Sequence, residues 1–156
     1  MGKTISLLST LILIFNLSAQ TPEAMTAIEE SQVPIEVIKK LSKVMPEQKV
    51  EQWYVFDNIY SAKVMEDNML KYQRFNSEGL LIEERMLKDW ESAPEKLKQG
   101  KQKTTYKYWD VSEFYEVYSE GQLSHYFLML KNDKNEKKSM YFDANGKLSS
   151  KSNSAY

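Results

Sequence analysis

Cysteine is absent from this chain of 156 residues, and histidine occurs once, as His125. Without cysteine there is no disulfide framework, so the stability of the protein must come from an ordinary apolar core. Zinc and similar metals are usually held by several Cys and His side chains, and a single histidine excludes such a site. We therefore predict neither a metal nor any other cofactor.

An excess of charge of either sign is also missing. The chain has 21 basic and 22 acidic residues, and its net charge is −1. Proteins that bind nucleic acid or lie on anionic membranes usually carry a basic surplus, which draws them to phosphate groups. The composition therefore indicates neither a nucleic-acid partner nor a basic membrane-surface protein.

Long apolar runs are missing except near the beginning of the chain. Lys3 precedes the run Ile5–Leu17, and the small residues Ser18 and Ala19 follow it. A positive start, a short apolar run and a small-residue site are typical of a secretory signal. We predict that residues 1–19 are removed on export, and an uncleaved N-terminal anchor is the alternative.

The rest of the chain has no run long enough to span a bilayer, so we expect no stable membrane insertion after the signal is removed. An exported chain that uses no disulfides favours a bacterial source, since small eukaryotic secreted domains commonly depend on them. The predicted location is periplasmic or secreted.

The segment "VPIEVIKKLSKVMP", residues 33–46, predicts an amphipathic helix. Apolar residues recur at helical spacing on one side, and lysines occupy the other. Pro34 fits the first turn, where its missing N–H costs nothing, and Pro46 ends the helix. The apolar positions are Val37, Ile38, Leu41, Val44 and Met45.

After this helix the pattern changes to short runs rich in aromatic and β-branched residues, separated by Asn, Asp and Gly. Such runs predict strands, and the short gaps between them join antiparallel neighbours. A second and weaker helical segment, "WESAPEKLKQGK", begins at Trp90. The predicted strands are 49–56, 59–65, 69–75 and 80–86 before this segment, and 104–111, 114–119, 122–130 and 137–142 after it.

One turn is written twice, in "YQRFNSEGLLI" at 72–82 and in "MYFDANGKLSS" at 140–150. We predict an α+β fold built as a tandem repeat of one helix followed by an antiparallel four-stranded meander, with the helices packed on one side of the sheets. A single mixed domain with coincidental turns is the alternative. The predicted units are a flexible lead-in at 20–30, repeats at 31–88 and 89–150, and a disordered tail at 151–156.

The order of these motifs resembles the PepSY-like, beta-lactamase-inhibitor-like family of exported bacterial proteins. The segments that carry the resemblance are "VPIEVIKKLSKVMP", "EQWYVF", "FNSEGLL" and "YFDANGKL", and the "SAQ" end of the signal is similar to those of Bacteroidetes secretory proteins. The resemblance covers residues 31–150. It implies a sheet packed on helices with one concave face, and an activity of binding or inhibition.

No motif in the chain spells out a catalytic site. His125 shares strand parity with three apolar residues, which favours a structural role. A hydrolase acting on polysaccharide would need two carboxylates facing each other across a cleft, and the candidates are Glu84, Glu113 and Glu116. We predict no catalytic residue and a non-enzymatic protein, with such a hydrolase as the less favoured alternative.

Tyrosines on an open sheet face are the candidate binding residues, because tyrosine offers a large contact area with a polar tip. By strand parity the set is Tyr54, Tyr106, Tyr108 and Tyr118, while Trp53 and Trp109 turn toward the core. The predicted function is a binding or inhibitor-like module whose partner is a protein or a glycan of the cell envelope. The alternatives are an envelope structural or assembly protein, and tyrosine rings that only pack in the core.

Overall fold

The computed structural model describes residues 25–149. Eight strands form one sheet, in which each strand lies beside its neighbours in sequence and runs antiparallel to them. Two helices and two short 3-10 turns complete the described part of the chain. In chain order the strands and helices are β1 Thr26–Ile28, α1 Ile35–Val44, β2 Val50–Phe56, β3 Ile59–Glu66, β4 Met69–Phe75, β5 Leu81–Lys88, α2 Glu95–Gln102, β6 Asp110–Ser119, β7 Gln122–Lys131 and β8 Lys137–Asp143.

Helix α1 begins and ends where its two prolines predict. Pro34 occupies the N-cap position, and the helix stops at Val44, before Pro46. Val37 and Leu41 are buried, whereas the lysines between and after them are exposed. Four of the five predicted apolar positions therefore pack in the core, namely Val37, Ile38, Leu41 and Met45, whereas Val44 is 41% exposed.

Both helices pack on the same face of the sheet. A row of cross-strand neighbours runs from Val64 in β3 to Phe142 in β8, so these side chains point to one side. Val64 packs in the cluster that contains α1, and Phe142 packs in the cluster that contains α2. The buried strand residues are Trp53, Ala62, Val64 and Phe75 in the first cluster, and Phe114, Tyr126, Leu128, Leu130, Met140 and Phe142 in the second.

The predicted tandem repeat of helix and four-stranded meander is wrong. Strand β5 pairs with β6, from Glu84 opposite Tyr118 to Lys88 opposite Phe114, so a single eight-stranded sheet runs through the molecule. Two separate meanders would each have left an edge strand with unpaired backbone groups at this point. Pairing of β5 with β6 satisfies those groups, and the described chain is mostly β.

Two segments differ from their predicted state. Residues 26–28, in the predicted lead-in, form the edge strand β1 by pairing with β2. Residues 104–109, predicted as a strand, form a series of turns, and β6 begins only at Asp110. The predicted signal at 1–19 and the predicted tail at 151–156 lie outside the described residues.

Candidate functional site

A strip of charged and polar side chains lies between the two apolar clusters on the helix-covered face. Lys71 is near its centre, with its Nζ 2.5 Å from Glu66 Oε2 and 3.7 Å from Glu84 Oε1. Glu84 also accepts a hydrogen bond from Gln73. Because Lys71 and Gln73 bond to these acids, the strip is an ion-paired polar seam between the two parts of the core, in which Gln73 Oε1 alone of these groups has no hydrogen-bond partner.

The carboxylates considered for a hydrolase do not converge on one cleft. Glu84 and Glu116 lie on the helix-covered face, where Glu84 is opposite Tyr118 and Glu116 is opposite Tyr126. Glu113 lies on the other face and accepts a hydrogen bond of 2.6 Å from the hydroxyl of its strand neighbour Tyr115. Glycoside hydrolysis needs two carboxyl groups facing each other across one sugar, so Glu113 cannot form such a pair with either of the other two. Glu84 is bonded to Lys71 and Gln73, and Glu116 accepts a hydrogen bond from Tyr118.

The sheet face opposite the helices carries a row of rings, and we call it the aromatic face. Strand alternation places these rings there: Phe114 and Tyr126 point to α2, while the next residues, Tyr115 and Phe127, point the other way. The residues of the row are Tyr54 in β2, Tyr72 in β4, Tyr115 in β6, His125 and Phe127 in β7, and Tyr141 in β8.

These rings follow one another across the sheet at contact distance. Their centroids are separated by 6.2 Å for Tyr54–Tyr72, 6.0 Å for Tyr72–Tyr115, 5.9 Å for Tyr115–Phe127, 5.0 Å for Phe127–Tyr141 and 5.7 Å for Tyr141–His125. The ring planes are tilted between 45° and 67°, and only Tyr72 and Tyr115 meet edge to face. The result is one continuous row of ring contacts from β2 to β8, in which the central rings of Tyr115 and Phe127 are buried and the other four rings are half-buried.

Two arginines and a glutamate lie beside the rings. Arg74 and Arg85 both bond to Glu83, with Arg85 Nε 2.6 Å from Glu83 Oε1. The Arg85 guanidinium also lies over the Phe127 ring, 4.7 Å from its centroid. Burial alone would raise the pKa of Glu83, but the charges of Arg85 and Arg74 and hydrogen bonds from both hold that pKa at about 2. Glu83 is therefore ionised at neutral pH.

A small cavity of about 50 Å³ lies among these side chains. It has room for a few water molecules or for the end of one side chain, and is far smaller than a typical ligand pocket. Rings, guanidinium groups and a carboxylate share its walls, which suits the tip of an amphipathic side chain. The lining residues are Met25, Ser61, Tyr72, Arg74, Arg85, Glu113, Tyr115, Phe127 and Met129.

Two of the phenol groups on this face, those of Tyr72 and Tyr115, have a pKa above the ordinary value. Burial raises the pKa of Tyr115, and its hydrogen bond to Glu113 raises that pKa further. Burial likewise raises the pKa of Tyr72. Between residues 25 and 149 no three His, Asp or Glu side chains are grouped closely enough to hold a metal ion.

The structure places the four predicted binding tyrosines in three different environments. Tyr54 lies on the aromatic face. Tyr118 lies on the helix-covered face, where its hydroxyl donates to Glu116 at 3.0 Å. Tyr106 and Tyr108 lie in the turns before β6, and the Tyr108 side chain is 85% exposed. The structure thus brings Tyr54 to the row of rings and keeps the other three away from it, and a role of the four in binding stays a prediction.

Sequence reasoning missed most of the row, namely Tyr72, Tyr115, Phe127 and Tyr141. A usable signal was present in the adjacent pairs Phe114–Tyr115 and Tyr126–Phe127. Adjacent strand residues point to opposite faces, so each pair places one large ring on each side of the sheet. Because the helices cover one side of the sheet only, one ring of each pair cannot pack against a helix and must lie on the other face.

The described part of the chain contains no helix that is both long and apolar enough to cross a bilayer. No family model and no curated protein matches the chain.

Solved structures of Bacteroides proteins share the fold. A DUF2874 family protein of Bacteroides ovatus is 18% identical, with a TM-score of 0.61 over 74% of this chain and 84% of that one. A BLIP-like protein of Bacteroides fragilis is 16% identical, with a TM-score of 0.56 over 75% of this chain and 83% of that one. A Bacteroides eggerthii protein, described provisionally as periplasmic, is 13% identical, with a TM-score of 0.62 over 74% and 85% of the two chains. The predicted resemblance to beta-lactamase-inhibitor-like proteins is confirmed for the fold, whereas a PepSY-like relationship is not shown.

Proposed function

We propose that the chain is an exported, non-enzymatic binding module of the inhibitor-like kind, which recognises a protein or glycan partner through its aromatic face. The observation that carries the proposal is the unbroken row of rings from Tyr54 to Tyr141 on the face opposite both helices. Tyrosine-rich surfaces of this kind supply large, rigid contact areas with polar tips, which are the usual centres of protein interfaces.

A protein is the favoured partner. The cavity between Tyr72 and Phe127 takes the end of one side chain, whereas a sugar ring would need an open trough along the strands. Arg85 and Glu113 give the cavity both signs of charge, which can fix the orientation of a partner loop. A glycan remains the alternative that the experiment below separates.

The proposed export rests on the signal-like segment at residues 1–19 and on the descriptions of solved proteins that share the fold. The Bacteroides eggerthii protein of the same fold is assigned provisionally to the periplasm, and the Bacteroides fragilis protein is BLIP-like. Both descriptions support an envelope or extracellular setting in which an inhibitor-like protein would meet its target.

Photo-crosslinking tests the proposal. A benzophenone amino acid replaces Tyr54 on the aromatic face, and in a matched variant it replaces Lys40, which is exposed on α1. Both proteins are illuminated in a periplasmic extract of the source bacterium, and both are also applied to an array of envelope glycans.

We expect one prominent protein adduct at position 54 and none of comparable yield at position 40. Equal adduct patterns from both positions would overturn the proposed face, and binding to glycans without a protein adduct would replace the protein partner with a glycan. A stoichiometric adduct that forms at position 40 alone would favour the envelope assembly role instead.

A further inference from the structure

The turns between α2 and β6 are anchored from beneath by a buried lysine. The Lys101 side chain is buried, and its ammonium donates to the carbonyl oxygens of Lys107 at 3.1 Å and of Trp109 at 2.5 Å. The Thr104 hydroxyl bonds the Lys101 carbonyl oxygen at 2.8 Å, and the Tyr106 ring packs edge-on against Trp109 at 5.1 Å. These contacts fix residues 103–109 without covering their outer side.

Tyr108 stands at the outside of this anchored loop. Its side chain is 85% exposed, more than any other large apolar side chain between residues 25 and 149. The ammonium of the neighbouring Lys107 lies 4.8 Å from its ring centroid. Single exposed rings are common on protein surfaces, so Tyr108 gains its significance from the charged surface around it.

The same end of the sheet carries a local surplus of lysine that the neutral composition conceals. Segments 101–110 and 131–138 hold seven lysines against three acids, which leaves 14 basic and 19 acidic residues in the rest of the chain. Six of the seven lysines remain for the surface when the buried Lys101 is set aside. The two segments are adjacent, because Asp110 lies opposite Lys131 and the Lys138 ammonium reaches the Tyr106 ring at 5.9 Å. We call this surface the basic end.

We propose that the basic end docks the protein on a membrane surface that displays anionic lipid headgroups, with Tyr108 seated at the interface. Tyrosine is enriched at the boundary between lipid and water, where its ring and hydroxyl meet different surroundings. Lysines near an anionic surface add attraction without needing a shaped partner. From the sequence we did not expect a basic membrane-surface protein, because the net charge is close to zero. Net charge sums the basic end with the rest of the chain, which is acidic.

Lipid is favoured over an acidic protein by the kind of cation present. The basic end has lysine and no arginine, whereas both arginines of the chain, Arg74 and Arg85, lie beside the aromatic face. Protein interfaces are enriched in arginine and depleted in lysine, because guanidinium groups bind carboxylates in a fixed two-pronged geometry. Ammonium groups act as point charges and need no fixed binding geometry. Lysines spread over a loop and a hairpin therefore suit lipid headgroups, which move laterally. Docking by the strand ends would also leave the aromatic face accessible.

Vesicle flotation tests the inference with the mature exported protein. The probes are phosphatidylcholine vesicles and vesicles in which part of this lipid is replaced by anionic phosphatidylglycerol. One variant carries K107Q, K134Q and K137Q on the basic end, and the matched variant carries K39Q, K40Q and K43Q on α1, so both lose three exposed lysines. A third variant is Tyr108→Ala, and thermal unfolding confirms that all of them are folded.

We expect binding to the anionic vesicles only, weakened by high salt because screening shortens the range of exposed charges. The basic-end variant should lose roughly a hundredfold in affinity, the α1 variant less than about fivefold, and Tyr108→Ala roughly five- to tenfold. Equal losses in the two triple variants, equal binding to both vesicle types, or no binding to either would overturn the inference. Binding to dextran sulfate but not to vesicles would overturn it as well, in favour of a soluble polyanion.

Discussion

At the scale of single residues, the turn that the sequence writes twice has one construction. Asn76 after β4 and Asp143 at the end of β8 each accept hydrogen bonds from the backbone N–H groups two and four residues later, at 2.9 to 3.1 Å. Gly79 and Gly146 follow with φ of 80° and 76°. Each glycine lies against a backbone carbonyl in the first turn of a helix, so both turns seat a strand end on a helix.

Replacement of Gly146 by alanine should therefore destabilise the protein beyond the cost of its positive φ. A β-carbon there would lie 2.5 Å from the Lys96 carbonyl oxygen, and we expect a loss of roughly 2 to 4 kcal/mol in the free energy of unfolding. Gly121→Ala is the matched control, because Gly121 has the same φ of 76° but no neighbouring atom within 4 Å. Its expected loss is about 1 kcal/mol. Denaturant unfolding measures both, and equal losses would show that the contact with α2 contributes nothing.

Glu83 predicts a specific dependence of stability on pH. Its pKa of about 2 in the folded protein lies below the ordinary 4.5, so the ionised form is favoured by folding. This contribution, roughly 3 kcal/mol, is fully present above about pH 5 and is lost as the pH falls toward 2. The cause is the pair Arg74 and Arg85, which the folded chain holds against the carboxylate.

The test is to compare wild type with Glu83→Gln by denaturant unfolding at several pH values. We expect the variant to be less stable at pH 7, and the difference between the two proteins to shrink steadily below about pH 5. A difference that stays constant down to pH 2 would mean that the charge of Glu83 has no part in stabilising the aromatic face.

At the scale of elements, α1 is the part of the fold that the sequence predicts best. Its period, its lysine side and its two prolines all agree, and the structure confirms each of them. Local signals suffice here because a helix is built from contacts within a few residues. Strands β2, β3 and β4 are recovered nearly as well, since two-residue turns of Asp and Asn separate them.

Leu41→Ala should show how strongly this helix packs. Leu41 is 6% exposed beneath α1, and we expect its truncation to lower the free energy of unfolding by roughly 2 to 5 kcal/mol. Ile35→Ala on the same helix serves as the control, because Ile35 is 58% exposed and should cost less than about 1 kcal/mol. Similar losses from the two substitutions would contradict the assignment of the buried side.

The segment before β6 misled the sequence reading for a physical reason. "TYKYWDV" alternates ring and polar residues as a strand does, but the Lys101 ammonium holds its carbonyl groups and Trp109 N–H bonds back to the Tyr106 carbonyl oxygen. A buried lysine side chain that replaces a neighbouring strand as hydrogen-bond donor leaves no periodic signature. Strand parity therefore assigned Tyr106 and Tyr108 to a face that this segment does not have.

The joining of β5 to β6 was hidden for a different reason. A short turn predicts that the two strands it joins pair with each other. The connection between β5 and β6 contains α2 and is compatible with one sheet or with two. The choice between one sheet and two depends on the free-energy cost of an unpaired strand edge in the middle of the molecule. That cost depends on contacts between residues far apart in the sequence. The single sheet of the structure is the arrangement without that cost.

At the scale of the whole molecule, the two faces of one sheet have different surroundings. Helices cover one face, and the other presents the row of rings. The sequence predicted an aromatic binding face and placed Tyr54 on it, but it could not select Tyr72 or Tyr141, because parity within a strand does not say which side the helices take. That choice follows from the packing of Val37 and Leu97 on the sheet.

This division predicts that two tyrosine truncations of equal size will have opposite effects. Tyr72→Ala removes a ring from the middle of the aromatic face, whereas Tyr60→Ala removes one that packs against the α1 cluster. If the aromatic face binds the partner and the other face holds the helices, Tyr72→Ala should weaken binding by roughly thirtyfold or more. Tyr60→Ala should instead lower the unfolding temperature by several degrees with binding largely preserved. Binding is measured by how much of the partner crosslinked at position 54 each immobilised variant retains. Stability is measured by thermal unfolding of the same variants. If both variants lose binding and stability together, the two faces are not functionally separate. The loss of binding would then be a consequence of lower stability in each variant.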